Sequence, residues 1–103
     1  MTRKRISPEA LEDAASVLRA VAHPLRLRLL EILDQKGECN VTALCEASGA
    51  TQPAVSQQLA RLRHEGVLEA TREGSQVFYR VARPEVLGLL ECVRRTARGG
   101  RPS

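Results

Sequence analysis

The sequence predicts a single, mainly α-helical domain with one small β-hairpin, in the element order α-α-α-α-β-β-α. Apolar residues recur at spacings of three and four in five stretches, as expected of helices that each bury one face. Between the fourth and fifth stretches, residues 67–81 are rich in β-branched and aromatic residues around Glu73-Gly74-Ser75, which is typical of a hairpin. With 103 residues, of which 43% are hydrophobic, the chain is large enough for one modest core.

The first two helices have recognisable start and stop signals. Ser7 can cap a helix over residues 8–22, because its hydroxyl can accept from an amide of the first turn. His23-Pro24 ends that helix, since the residue before a proline is pushed out of the helical region. The second helix is then expected over residues 25–35.

A short helix, a tight turn and a longer helix follow. Asn40 can cap residues 41–47, Gly49 lies in the turn, and Thr51 can cap a second helix that ends at Gly66. This is the helix-turn-helix arrangement, in which the second helix contacts the bases of DNA. A hairpin directly after that helix forms a wing, so the sequence predicts a winged helix-turn-helix domain.

The outer surface of this second helix favours contact with bases. Its exposed positions carry amide, hydroxyl and guanidinium groups where an ordinary surface helix carries Glu and Lys. Such groups can read the donors and acceptors of base edges without placing a carboxylate beside phosphates. Polar and basic residues on the wing suit phosphate or minor-groove contacts. The predicted DNA-binding residues are Thr51, Gln52, Ser56, Gln57, Arg61, Arg72, Ser75 and Gln76.

Basic residues cluster at the two ends of the chain. Residues 3–5 and four arginines after residue 93 hold seven of the 16 basic residues, and the net charge is +4. Clustered positive charge suits a polyanion such as double-stranded DNA. We expect a disordered basic arm over residues 1–6 and a disordered tail over residues 98–103, flanking a domain over residues 7–97.

The composition indicates a cytoplasmic protein that does not enter a membrane. No stretch approaches the roughly 18 apolar residues of a membrane span, and the N-terminal Met-Thr-Arg-Lys-Arg lacks the apolar run of a signal peptide. Three cysteines, an odd number, argue against a disulfide scaffold and for reduced thiols.

An apolar stripe at the two ends of the chain predicts a homodimer. The last helix, expected over residues 84–97, and the first helix together carry more apolar surface than a small monomer can cover. A two-fold dimer would bury that surface and would bind an imperfect palindromic operator, with half-sites roughly 34 Å apart. The predicted interface residues are Leu11, Leu18, Val86, Leu90 and Val93.

Two motifs and the wing are similar to those of a known family. Residues 18–30 (LRAVAHPLRLRLL) look like its junction between the first two helices, and residues 51–68 (TQPAVSQQLARLRHEGVL) look like its recognition helix. The wing, which ends in VFYRV, completes the resemblance to the ArsR/SmtB repressors. The resemblance implies a winged-helix homodimer, paired through its first and last helices, that leaves its promoter when an inducer binds. On the family pattern, Gln52, Ser56 and Gln57 contact the operator.

The resemblance does not extend to the family's inducer sites. Members that sense arsenite or soft metals carry paired cysteines at the short helix, where this chain has Asn40 and Thr42. The last helix contains no histidine for the zinc site of other members. Persulfide-sensing members place a thiol in the second helix, where this chain has Glu31. No metal or cofactor is therefore assigned from the sequence.

The three cysteines are candidate sensor thiols. Cys39, Cys45 and Cys92 would bind a soft metal or metalloid ion, or become linked by oxidation, only if the fold brought them together. The alternative is that all three are packing residues. We expect Cys45 to be buried on its short helix, and Cys39, in a turn, to be exposed and reactive.

The sequence leaves two other classes of function open. A thiol-based redox enzyme would need one of these cysteines beside His23 or His64, and no recognised local motif joins them. A winged helix used only for protein contacts, without an inducer, is the other alternative. We therefore predict a DNA-binding regulator without enzymatic activity.

Overall fold

The computed structural model describes residues 3–100, with side chains described for residues 3–97. Five helices and one antiparallel hairpin occur in the predicted order, which confirms the fold class. Their bounds are α1 (Pro8–Val21), α2 (Pro24–Lys36), α3 (Val41–Ser48), α4 (Gln52–His64), β1 (Leu68–Glu73), β2 (Gln76–Val81) and α5 (Glu85–Gly100).

The starts of α1, α3 and α4 are capped as the sequence predicts. The side chains of Ser7, Asn40 and Thr51 accept hydrogen bonds from first-turn amides of α1, α3 and α4. His23 caps α2, because its Nδ1 accepts from the backbone N of Leu25 at 3.1 Å. These caps set the positions at which the chain turns between successive helices.

The core lies between α2, α4 and the start of the hairpin. On α4, Val55, Leu59 and Leu62 are fully buried, and they form the inward stripe that the sequence predicted. This stripe holds one face of α4 against the domain and leaves the other face outside. Other buried residues come from α1, α2, α3, β1, α5 and the segments beside them: Val17, Ala20, Val21, Leu29, Leu30, Ile32, Leu33, Cys39, Leu44, Val67, Leu68, Val86 and Leu90.

The wing is attached to the helix-turn-helix by backbone hydrogen bonds. Strands β1 and β2 pair from Leu68 opposite Val81 to Glu73 opposite Gln76. On the other edge of β2, the backbone N of Cys39 donates to Tyr79 O at 3.1 Å, and Tyr79 N donates to Cys39 O at 2.8 Å. The segment before α3 therefore pairs with the wing through a single antiparallel bridge.

The ends of the domain differ in part from the expected boundaries. Helix α5 continues to Gly100, so residues 98–100 are helical and do not belong to the expected tail. Backbone helical bonding persists there although the two glycines have a low helix propensity. Residues 3–6 form neither helix nor strand, and residues 1–2 and 101–103 lie outside the described residues. Across residues 3–100, none of the helices combines the length and the apolar character needed to span a bilayer.

Candidate nucleic-acid interface

Helix α4 presents its polar face to the outside of the domain. Because Val55 and Leu59 point into the core, Gln57 lies on the exposed side, and Gln52 is exposed at the start of the helix. Over Gln52–His64 the helix contains no Asp or Glu and carries basic residues in its last turn. This face can therefore approach a polyanion without charge repulsion.

The first turn of α4 is organised by two side-chain hydrogen bonds. The hydroxyl of Thr51 accepts from the backbone N of Ala54 at 3.4 Å, and Gln52 Nε2 donates to Ser56 Oγ at 2.9 Å. Gln52 and Ser56 are one helical turn apart and so lie side by side. The pair places a carbonyl oxygen and a hydroxyl group at the exposed end of the helix, where they can accept from or donate to a base edge.

Basic and polar groups extend this surface on both sides of the first turn. Arg61 lies 3.8 Å from Glu65 within the last turn of α4 and remains largely exposed. Such an exposed ion pair contributes about 0.2–1 kcal/mol to stability at most, so Arg61 can leave Glu65 and contact another anion. On the wing, Arg72 and Ser75 are exposed. The surface thus combines amide and hydroxyl groups that can contact base edges with cations suited to phosphate contacts.

Gln76, on the wing, is held by a residue of the helix-turn-helix. Asn40 Nδ2 donates to Gln76 Oε1 at 2.7 Å, while Asn40 Oδ1 accepts from the backbone N of Ala43 at 2.9 Å. A cleft of about 390 Å³, lined by both polar and apolar side chains, lies beside this contact, between the start of α3 and β2. The wing is therefore oriented by side chains as well as by the Cys39–Tyr79 backbone pair.

A residue pair that the sequence did not reveal supports the recognition helix from behind. Arg26 Nε donates to Gln58 Oε1 at 2.6 Å. Gln58 follows Gln57 in the chain but lies about 100° further around the helix, so it faces α2 and not the exposed surface. The two neighbouring glutamines look equivalent in sequence, and only the direction of the buried stripe shows that Gln57 is exposed and Gln58 is not.

An ion-pair cluster joins α1 to the segment after the wing. Arg83 Nη2 lies 2.6 Å from Asp13 Oδ2 and also pairs with Glu85. Hydrogen bonding to Arg83 lowers the pKa of Asp13 below its usual value. The pKa of Glu85 is lowered too, first by a hydrogen bond from its own backbone N–H and then by Arg83. These exposed groups stay ionised at neutral pH and hold the end of the hairpin beside α1.

The predicted dimer stripe divides into two sets. Leu11, Leu18 and Val93 are 53%, 48% and 46% exposed and stay available for a partner. Val86 and Leu90 are 1% and 5% exposed, so their assignment to an interface between protomers is wrong. They face inward and are covered by the protomer's own core.

The thiols do not come together as a sensor would require. Cys39 is 4% exposed, so the expectation of an exposed, reactive thiol is wrong, and burial raises its pKa. Its pairing with Tyr79 places it beneath the wing. Cys45 is half-buried against the core and Cys92 is exposed. Within the described part of the chain, no three Cys, His, Asp or Glu residues form a group that could hold a metal ion, which excludes a three-thiol site in the protomer.

This geometry agrees with comparisons to known proteins. The sequence pattern of bacterial regulatory proteins of the arsR family matches residues 23–70, from the cap of α2 into β1. The transcriptional repressor PagR of Bacillus anthracis is 33% identical over 87 residues, which cover 84% of this chain and 87% of PagR.

Two solved structures share the fold over almost the whole chain. The AntR antimony-specific transcriptional repressor has a TM-score of 0.82 at 35% identity, covering 95% of this chain and 91% of that one. A homodimeric winged helix-turn-helix DNA-binding domain from Mycobacterium bovis has a TM-score of 0.74 at 33% identity, covering 99% of this chain and 94% of that one. The present chain therefore belongs to the arsR family of bacterial regulatory proteins and is a winged helix-turn-helix, DNA-binding transcriptional regulator.

Proposed function

We propose that the protein is a homodimeric repressor in the bacterial cytoplasm that binds an imperfect palindromic operator. The observation that carries the proposal is the exposed face of α4, which offers Gln52, Ser56 and Gln57 with no carboxylate over Gln52–His64. Amide and hydroxyl groups of this kind match the donors and acceptors of the major groove. Repression is supported by the similarity to PagR, which is itself named as a transcriptional repressor.

In this proposal each part of the surface has a separate task. Gln57 and the Gln52–Ser56 pair contact base edges and supply sequence preference. Thr51 and Arg61 contact phosphates beside α4, and Arg72, Ser75 and Gln76 contact the backbone or the minor groove through the wing. Phosphate contacts fix the position of the protein on the duplex but do not distinguish sequences.

The homodimer is supported by the exposed leucines of α1 and by Val93 of α5. Large apolar side chains that are about half exposed and lie on neighbouring helices favour a partner surface. The M. bovis domain, which shares the fold, is described as homodimeric. A two-fold axis between protomers would place two α4 helices on successive major grooves, and the operator would then have two-fold symmetry.

Release from DNA would follow when an inducer favours a dimer in which the two α4 helices no longer match the operator. AntR is named as antimony-specific, but that name describes AntR. The three-thiol site that the sequence left open does not form among the described residues of the protomer and is no part of this proposal.

Selection from a pool of random duplexes tests the proposed function. The purified protein should enrich an imperfect palindrome whose half-sites lie about one helical turn, roughly 34 Å, apart. Affinity for the selected duplex and for a scrambled duplex should then be measured at two salt concentrations. Both affinities should fall as salt rises, because phosphate contacts release counterions. A protein that enriches no sequence and shows no salt dependence would instead be a winged helix used for protein contacts.

A further inference from the structure

The side chain of Arg26 joins three helices of the domain. Its Nε donates to Gln58 Oε1 at 2.6 Å, and its Nη1 donates to the backbone O of Ala20 at 3.1 Å. Ala20 belongs to α1, Arg26 to α2 and Gln58 to α4. Both hydrogen bonds are partly buried, so water competes for them less than at the surface.

The geometry of a guanidinium group makes this contact directional. The donors of arginine lie in one plane at fixed angles, so two acceptors bound by the same group are fixed relative to each other. The carbonyl of Ala20 lies in the last turn of α1, where it has no partner within the helix. Arg26 supplies that partner and at the same time holds Gln58. One side chain therefore fixes the C-terminal end of α1 relative to the face of α4 that carries Gln58.

The two helices that Arg26 joins have different tasks in the proposed function. Helix α1 carries Leu11 and Leu18 on its exposed side, where a second copy of the chain would pack. Helix α4 carries Gln57 on its exposed side, where DNA would bind. Arg26 therefore links the helix that would carry the dimer contact to the helix that would carry the DNA contact.

We infer that Arg26 is a positioning residue that, acting through Gln58, sets the spacing of half-sites that the dimer accepts. The inference rests on the proposed function, because spacing has a meaning only for a dimer on a two-part operator. Once α4 is fixed to α1, each recognition helix has one orientation relative to the two-fold axis. Loss of the contact would let α4 tilt and would relax the requirement for one spacing.

The test uses the operator selected by the wild-type protein and two derivatives with the half-site spacing changed by one base pair in either direction. One base pair shifts a half-site by about 3.4 Å and rotates it by roughly 34°. The wild type should lose about tenfold or more in affinity on both derivatives, on the scale of a lost base contact. Arg26→Lys and Gln58→Ala should bind all three duplexes within about threefold of one another, because neither holds two acceptors at fixed angles through one planar group.

Matched variants separate positioning from charge and from stability. Arg28→Ala removes an arginine from the same helix, where its ion pair with Glu31 stays within α2, and should keep the wild-type dependence on spacing. Gln58→Glu retains an oxygen that accepts from Arg26, so this variant should also keep the wild-type dependence on spacing. Thermal melting of each variant records any loss of stability independently.

Two results would overturn the inference. If Arg26→Lys and Gln58→Ala bind all spacings more weakly by one common factor, the pair only stabilises the fold. If the wild type selects no two-part operator, the proposed function fails, and the inference fails with it. The first result leaves the proposed function intact, so the two failures are distinguishable.

Discussion

The side-chain amide of Asn40 connects the cap of α3 to Gln76 on the wing. Asn40 Oδ1 is engaged by the backbone N of Ala43, so Nδ2 is the group that points to the wing, where it donates to Gln76 Oε1 at 2.7 Å. Because Gln76 accepts with its oxygen, its Nε2 is the end that can donate to a phosphate. One asparagine thus caps a helix and sets the polarity of a predicted DNA contact.

Substitutions at Asn40 should separate these two roles. Asn40→Ser keeps a capping oxygen but cannot reach the wing, whereas Asn40→Ala removes both contacts. We expect Asn40→Ala to lose about 1 kcal/mol of stability and Asn40→Ser to lose much less. Both substitutions should weaken binding to operator and random duplexes by a similar factor of about three to ten. The reason is that Gln76 is no longer held in place to donate one hydrogen bond to the DNA backbone. If Asn40→Ser binds DNA as the wild type does, the link to Gln76 does not position the wing.

Exchange of Gln57 should change sequence preference and leave general affinity for DNA in place. Gln57→Ala removes an exposed amide from α4 without touching the core, and a bidentate base contact is worth about 1–3 kcal/mol of discrimination. Arg72→Ala is the matched control, because loss of a wing cation should weaken all duplexes alike. Competition between operator and scrambled duplexes measures both. Unchanged discrimination in Gln57→Ala would show that another face of α4 reads the bases.

The local features of the fold could be predicted from the sequence because their causes lie within a few residues. Ser7, Asn40 and Thr51 each cap a helix through an amide three residues ahead, and the stripe of α4 follows from helical spacing. The hairpin follows from a turn between two β-rich segments. These elements are confirmed because short-range hydrogen bonds and periodicity determine them.

Contacts between distant segments could not be predicted in the same way. Arg26 and Gln58 are 32 residues apart, and nothing in the local pattern of either shows that they meet. Cys39 looked exposed because it lies in a polar turn, but Tyr79 from the wing pairs with it and covers it. Periodicity also placed Leu90 and Val93 on one apolar face. It did not show that Leu90 is covered by its own chain whereas Val93 is exposed.

The difference in exposure between Leu11 and Leu90 predicts different outcomes for a glutamate substitution at each position. Leu11→Glu places a charge on an exposed part of α1, so it should convert the dimer to a folded monomer that has lost operator binding. Leu90→Glu places a charge in the protomer core, which costs several kcal/mol, and should unfold the chain. Sedimentation gives the mass, and circular dichroism gives the helix content. A folded dimer in both Leu11→Glu and Val93→Glu would place the interface elsewhere.

The burial of Cys39 predicts that this thiol reacts only when the domain opens. In a variant with Cys45→Ala and Cys92→Ala, Cys39 is the single thiol, and its labelling by a disulfide reagent should be roughly a thousandfold or more slower than in the unfolded chain. Adding guanidinium should raise the labelling rate in step with unfolding measured by circular dichroism.

The raised pKa of Cys39 adds a dependence on pH with a definite sign. The folded thiol ionises at higher pH than the unfolded one, so the stability that this group contributes is complete below the ordinary thiol pKa of 9.0. It is lost as the pH rises from there through the folded pKa. Cys39→Ala in the same background should lack this loss of stability at high pH. Rapid labelling of Cys39 in the folded protein at neutral pH would contradict its position beneath the wing.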